Sequence, residues 1–136
     1  MHIDHIDAYF EGLSNKDIQR AAEHLAPGVL LLSPVFEESF QGKDTVTKVL
    51  EGLLTTIDSI HPDLKLGSDR DFAMFFTIEC EGVTVNGAEH IHLDGEGLIA
   101  SITVAWRPLA SAVLIQEKLA RNLGGTPLRL VPALNL

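Results

Sequence analysis

The side chains best able to do chemistry gather in Ala88–Pro108, AEHIHLDGEGLIASITVAWRP. The stretch predicts a long β-hairpin closed by Asp94-Gly95-Glu96-Gly97. Side chains alternate along a strand, so Glu89, Ile91 and Leu93 share one face, and His90, His92 and Asp94 share the other. On the second arm Ile102, Val104 and Trp106 fall together, with Ser101, Thr103 and Ala105 opposite. One acid, Glu89, thus stands in a row that is otherwise apolar and ends near an aromatic. Apolar surroundings push a carboxyl towards its neutral, proton-donating form.

Other reactive types have plainer readings. His90 and His92 point the same way and could hold a metal if Glu79 or Glu81 supplied a third ligand. The alternative is a sheet face, exposed or at a dimer contact, and no residue is assigned to a metal. Cys80 is the single cysteine, which excludes an intramolecular disulfide and a multi-cysteine metal site. It lies in the apolar row Met74, Phe76, Ile78, Cys80 and reads as a small buried hydrophobe. His2, His5, His24 and His61 fall near helix ends or the terminus and are expected in solvent. Arg107 either pairs with an acid such as Glu79 or closes a pocket mouth. The chain has no glycine-rich phosphate loop, nucleophile elbow or HExxH, so no cofactor is expected.

Bulk properties narrow the classes. The 136 residues suit one domain, 1–136, and 46% are hydrophobic, more than a disordered chain carries. A net charge of −9 with only 10 Lys and Arg repels phosphate backbones, so no nucleic-acid partner is expected. The start, MHIDHIDAYF, lacks a basic region and carries acids where a signal peptide is apolar. No run approaches the ~20 apolar residues of a membrane span. No membrane partner and a cytoplasmic location are expected.

The elements that must position these residues follow from spacing. Ile3, Ile6, Phe10 and Leu13 form a helical stripe, with Tyr9 at its edge. Ser14 is a plausible N-cap for a second short helix carrying Ile18, Ala21, Ala22 and Leu25, stopped by Pro27-Gly28. Val29–Ser33 predicts a strand ended by Pro34. Val35–Gln41 predicts a loop whose Phe36 and Phe40 plug a core edge or line a ligand mouth. Gly42-Lys43-Asp44 opens the best helix, with Val46, Val49, Leu50, Leu53, Leu54 and Ile57 as its stripe, ended by His61-Pro62. Asp63–Ser68 and Phe72–Glu81 predict strands. Glu81-Gly82 is preferred as the next turn, with Asn86-Gly87 as the alternative. Leu109, Ala112, Val113, Gln116, Leu119, Ala120 and Leu123 predict a last helix closed by Gly124-Gly125. The tail, 126–136, carries Leu128, Leu130, Val131, Leu134 and Leu136, and should pack on its own domain or across a dimer.

Helices first and successive strands after predict an α+β fold. The expected form is a curved antiparallel sheet wrapped around the long helix, a cone-shaped α+β barrel, with an extra C-terminal helix and tail over 109–136. The order resembles the nuclear transport factor 2-like superfamily, which includes SnoaL-like polyketide cyclases, limonene epoxide hydrolases and ketosteroid isomerases. The resemblance covers roughly 3–108 and rests on AYFEGLSNKD, the LLLSPVF…FQGKD step and EHIHLDGEGLIASI. It implies a dimer paired through the outer sheet face. It also implies roles: Tyr9 matches the family's helix tyrosine and Glu89 its protonated acid, the two donors that in ketosteroid isomerases stabilise an oxyanion. Ser33 stands where those isomerases carry a general base, and a serine without a partner base cannot take a proton from carbon.

The expected function is therefore a pocket for an apolar small molecule. Its catalytic residues would be Glu89 and Tyr9, and its lining Ser33, Phe36, Val49, Leu50, Leu53, Met74, Phe76, Ile91 and Trp106. The activity would be that of an isomerase, cyclase or hydrolase, in a homodimer. The alternative is a non-catalytic binding or protein-interaction module in which Glu89 and Tyr9 only satisfy each other.

Overall fold

A computed structural model describes residues 4–131. The elements run α1 (His5–Ser14), α2 (Ile18–Ala22), β1 (Leu25–Leu32), β2 (Ser39–Gln41), α3 (Lys43–Thr56), β3 (Ser59–Ser68), β4 (Asp71–Cys80), β5 (Val83–Leu93), β6 (Ile99–Arg107) and α4 (Leu109–Leu123). Six strands form one sheet in the order β2-β1-β6-β5-β4-β3. The sheet is curved and unclosed, and with the helices it makes the expected α+β cone. Ile3, His2, Leu134 and Leu136 lie outside the described residues.

Local chemistry sets the helix ends. Asp4 caps α1 by accepting from the Asp7 N–H at 3.0 Å, and removal of such a cap costs about 1 kcal/mol. Ser14 does not cap α2; it is the last residue of α1, and Asp17 does the capping, accepting from the Arg20 N–H at 3.2 Å. Lys65 on β3 binds Asp4 at 2.6 Å and Asp7 at 2.8 Å, tying α1 across the concave side of the sheet.

Several boundaries depart from the sequence expectation. His61 and Pro62 do not end the long helix; α3 stops at Thr56 and both residues lie inside β3. β3 is a sheet edge, and its register shifts between Pro62 and Leu64, the two settings in which a strand tolerates a missing N–H. Leu25 belongs to β1 rather than to the second helix, and a bulge between Leu25 and Leu30 takes up Pro27-Gly28. The loop after Pro34 contains a short strand, β2, paired to β1. The sheet is not wholly antiparallel, because β1 pairs parallel with β6. The long connection through β2, α3 and three further strands lets the chain return in that direction. Glu81-Gly82 is the β4–β5 turn as preferred, with φ of +46° and +84° and Cys80 facing Val83. Asn86-Gly87 is plain strand within β5.

The concave face, α1, α3 and α4 enclose the core, in which Ile6, Phe10, Val46, Leu50, Ile78, Ile91, Ile102 and Ile115 are buried. Burying each such side chain contributes roughly 1.5–3 kcal/mol. Truncation of one of them, Leu50→Ala for example, costs about 2–5 kcal/mol. α4 packs on α3, β5 and β6. Beyond it Gln116, only 1% exposed, donates from Nε2 to the Thr126 carbonyl at 3.0 Å and accepts at Oε1 from the Leu128 N–H at 2.7 Å. The start of the apolar tail is thereby fastened to its own chain, while Leu128, Leu130 and Val131 stay exposed.

Candidate functional site

The pairing of β4, β5 and β6 sets the inner face of the sheet. Met74, Glu89 and Val104 stand opposite one another in one row, and Phe76, Gly87 and Trp106 in the next. Glu89 and Trp106 are therefore diagonal neighbours on adjacent strands with their side chains on the same face. Gly87, between two aromatics, has a specific use. A Cβ there would lie 2.3 Å from the Phe76 ring, so only glycine lets that ring lie across β5.

Above these rows is a hollow of about 50 Å³. α1 lends it Tyr9 and Leu13, α3 lends Val49, Leu50 and Leu53, and α4 lends Leu119. The end of β1 and the turn beyond it add Leu31, Ser33, Pro34 and Val35. Among the described lining residues, Tyr9 and Glu89 alone carry an ionisable acid or phenol. Glu89 is 8% exposed, and its Oε1 has no hydrogen-bond partner among the described residues. Burial raises its pKa to about 8, so the carboxyl is mainly protonated at neutral pH. Burial first, and then the neighbouring Glu89, push the Tyr9 phenol well above its ordinary range, so it stays a hydroxyl. Trp106 Nε1 is likewise buried without a partner. The cluster can offer protons to an oxygen; among its described residues there is no imidazole or amine to accept one.

The geometry sorts the predicted residues. Tyr9, Ser33, Val49, Leu50, Leu53, Phe76, Glu89 and Trp106 all line the hollow. Ser33 Oγ accepts from the N–H groups of Val35 at 3.1 Å and Phe36 at 3.2 Å, so its lone pairs serve the turn. Three predicted residues lie elsewhere. Ile91 is sealed in the core, with no surface on the hollow. Met74 is buried beside a shallow depression of about 450 Å³ between α1 and β3. Phe36 packs edge-on against Phe40 and lines an open outer groove of about 990 Å³ between the 34–40 turn, α3, the end of α4 and the tail. Pro34, Val35 and Val49 border both the hollow and this groove.

Among the lining residues that sequence reasoning missed are Val35, Val104 and Leu119. Val104 was legible, because it alternates with Trp106; Val35 and Leu119 depend on how a turn and the last helix fold back.

Outside the hollow, His90 Nε2 and His92 Nδ1 both lie on Asp71 Oδ1, at 2.8 and 2.9 Å, on the exposed face. Glu79 and Glu81, the expected third ligands, are engaged by Thr84 and Lys118. His5 and His24 are not simply solvated: their Nδ1 atoms are 2.9 Å apart in one hydrogen bond. Cys80 is buried as expected, its thiol directed at the Thr56 carbonyl at 3.5 Å and pushed up in pKa by burial.

Comparison with known proteins supports the architecture. An uncharacterised protein with a cystatin-like fold from Silicibacter pomeroyi superposes with a TM-score of 0.83 at 21% identity, covering 88% of this chain and 85% of the other. A steroid delta-isomerase from Pseudomonas aeruginosa gives a TM-score of 0.80 at 20% identity, covering 88% and 89%. The epoxide hydrolase/cyclase-like enzyme SalBIII, from pyran ring formation in the polyether salinomycin, gives 0.68 at 18% identity, covering 79% and 90%. No protein-family model matches the chain, and no curated protein matches its sequence. The fold is that of the nuclear transport factor 2-like proteins, among which ketosteroid isomerase-like and epoxide cyclase-like structures stand. At these identities the likeness extends to the fold alone.

Proposed function

We propose that the chain is a SnoaL-like, small-molecule-binding domain, formed by residues 1–136, that holds an apolar ligand against Glu89 and Tyr9. The observation that carries this reading is a fully buried carboxyl oxygen, without a hydrogen-bond partner among the described residues, on a residue that lines a hollow with an otherwise mainly apolar lining. Leaving such a group unpaired costs about 1–3 kcal/mol, a cost that a ligand's polar atom would offset. Chemistry at the site would be isomerase-, cyclase- or hydrolase-like. Glu89 and Tyr9 would act as proton donors to an oxygen that gains negative charge. Fold neighbours described as a steroid delta-isomerase and an epoxide hydrolase/cyclase-like enzyme fit this reading.

A non-catalytic binding module is the second reading. It is favoured by Ser33, whose Oγ is committed to the backbone at the family's base position, and by the small volume of the hollow. In either case we take the chain to be a cytoplasmic homodimer. Its outer sheet face presents the cross-strand row Leu64, Phe75, Ala88 and Ala105, with Leu64 52% and Phe75 41% exposed. No described helix is long and apolar enough to cross a membrane.

The test is titration with 2-octanone, a slender ketone, followed through the fluorescence of Trp106, the only tryptophan. Saturable binding to the natural protein, weakened about tenfold or more in Glu89→Leu, supports the reading. Leucine fills the site without leaving a polar atom buried, so the variant should fold. Absence of saturable binding would remove the ligand reading.

A further inference from the structure

Among the described residues two buried side-chain polar atoms lack partners, and both belong to residues that line the same hollow: Glu89 Oε1 and Trp106 Nε1. They come from diagonal positions on β5 and β6, with Gly87 opposite Trp106, so no side chain on β5 stands across from the indole. The indole N–H can only donate. A neutral carboxyl also has a proton to give, and the burial of Glu89 favours that form. An acceptor oxygen with two lone pairs can take both.

Size adds a second constraint. A hollow of about 50 Å³ is far below the roughly 300–1,000 Å³ of sites that enclose whole ligands. The groove of about 990 Å³ lies across Pro34, Val35 and Val49, which border both spaces. Phe36, Phe40, Leu123 and Leu128 give that groove apolar surface, beside the charged Glu37, Glu38 and Lys48 that also line it.

We infer that Trp106 is a specificity-determining residue, which with Glu89 forms a two-donor seat for one acceptor oxygen at the buried end of an elongated, neutral ligand. The ligand's apolar body passes Pro34 and Val35 and lies along the groove. The chemistry selected is a terminal or near-terminal carbonyl or ether oxygen on a slender hydrocarbon frame. An ammonium group is rejected because it brings donors to donors. This inference rests on the ligand reading above, but it differs in naming the atom recognised and the second donor.

The test compares 2-octanone with 2-methyl-1-octene, in which a methylene replaces the oxygen at nearly constant shape. Backbone-amide NMR titrations are run on the natural protein, Trp106→Phe and Glu89→Leu. We expect the ketone to bind the natural protein about tenfold or more tighter than the alkene. Trp106→Phe should reduce that preference several-fold while the alkene affinity holds, and resonances of Phe36 and Leu128 should shift with both probes. Equal affinity for the two probes, or a Trp106→Phe loss common to both, would overturn the seat while leaving a ligand pocket in place. If neither probe binds, the ligand reading falls together with the inference. Unchanged amide spectra of the free variants exclude misfolding as the cause.

Discussion

The Phe76 ring occupies the space where a side chain on Gly87 would stand, 2.3 Å from an added Cβ. The two residues face each other across β4 and β5, and Trp106 faces Gly87 from β6. The floor of the hollow is therefore an aromatic ring laid over a glycine. Gly87→Ala should force Phe76 off the strand and into the hollow. Overpacking of this kind costs about 1–3 kcal/mol. We expect a lower melting temperature and loss of 2-octanone binding; a variant with natural stability would show that Phe76 has room to move.

The buried Glu89 carboxyl sets a pH dependence whose sign is defined. Its pKa rises from 4.5 to about 8 in the folded chain because of burial. Between those values the unfolded chain has released the proton and the folded chain keeps it. Folded protein binds more protons across the window, so stability falls as pH rises through it. Tyr9 is the other ionisable side chain on the hollow, and it stays protonated throughout. Glu89→Gln has no proton to lose. Urea unfolding from about pH 5 to about pH 8 should show the natural protein losing stability relative to the variant by several kcal/mol. Parallel pH profiles would mean the carboxyl is solvated or paired.

On the outer face, Leu64, Phe75, Ala88 and Ala105 form an unbroken row across four strands. If two copies pair through it, Phe75→Lys would bury charges at the contact. Light scattering should then give twice the 14.8 kDa chain mass for the natural protein and the single mass for the variant. A natural protein that is already monomeric would remove the dimer from the proposal.

What could be read in advance followed the range of the forces involved. Glu89 was legible because strand alternation is strictly local, and so was the α3 stripe. Pro62 misled because its helix-ending tendency is local too, whereas its tolerance on an edge strand depends on where β3 sits in the sheet. Gly87 gave a turn signal, yet its role is to make room for a ring on another strand. The parallel β1–β6 pair joins residues about seventy positions apart, for example Leu31 and Ile102, and no neighbouring residue records it. The volume of the hollow depends on how Val35 and Leu119 close over it, which no spacing rule carries.

Gln116 meets the tail much as one strand meets another, offering an acceptor to Leu128 and a donor to the carbonyl two residues earlier. It grips main-chain atoms and leaves the identities of the gripped side chains free. Positions 126 and 128 can thus vary widely in type without loosening the fastening, provided that no proline arrives at 128 to remove the N–H. Along this part of the polypeptide it is the path of the backbone, more than its composition, that natural variation has to preserve.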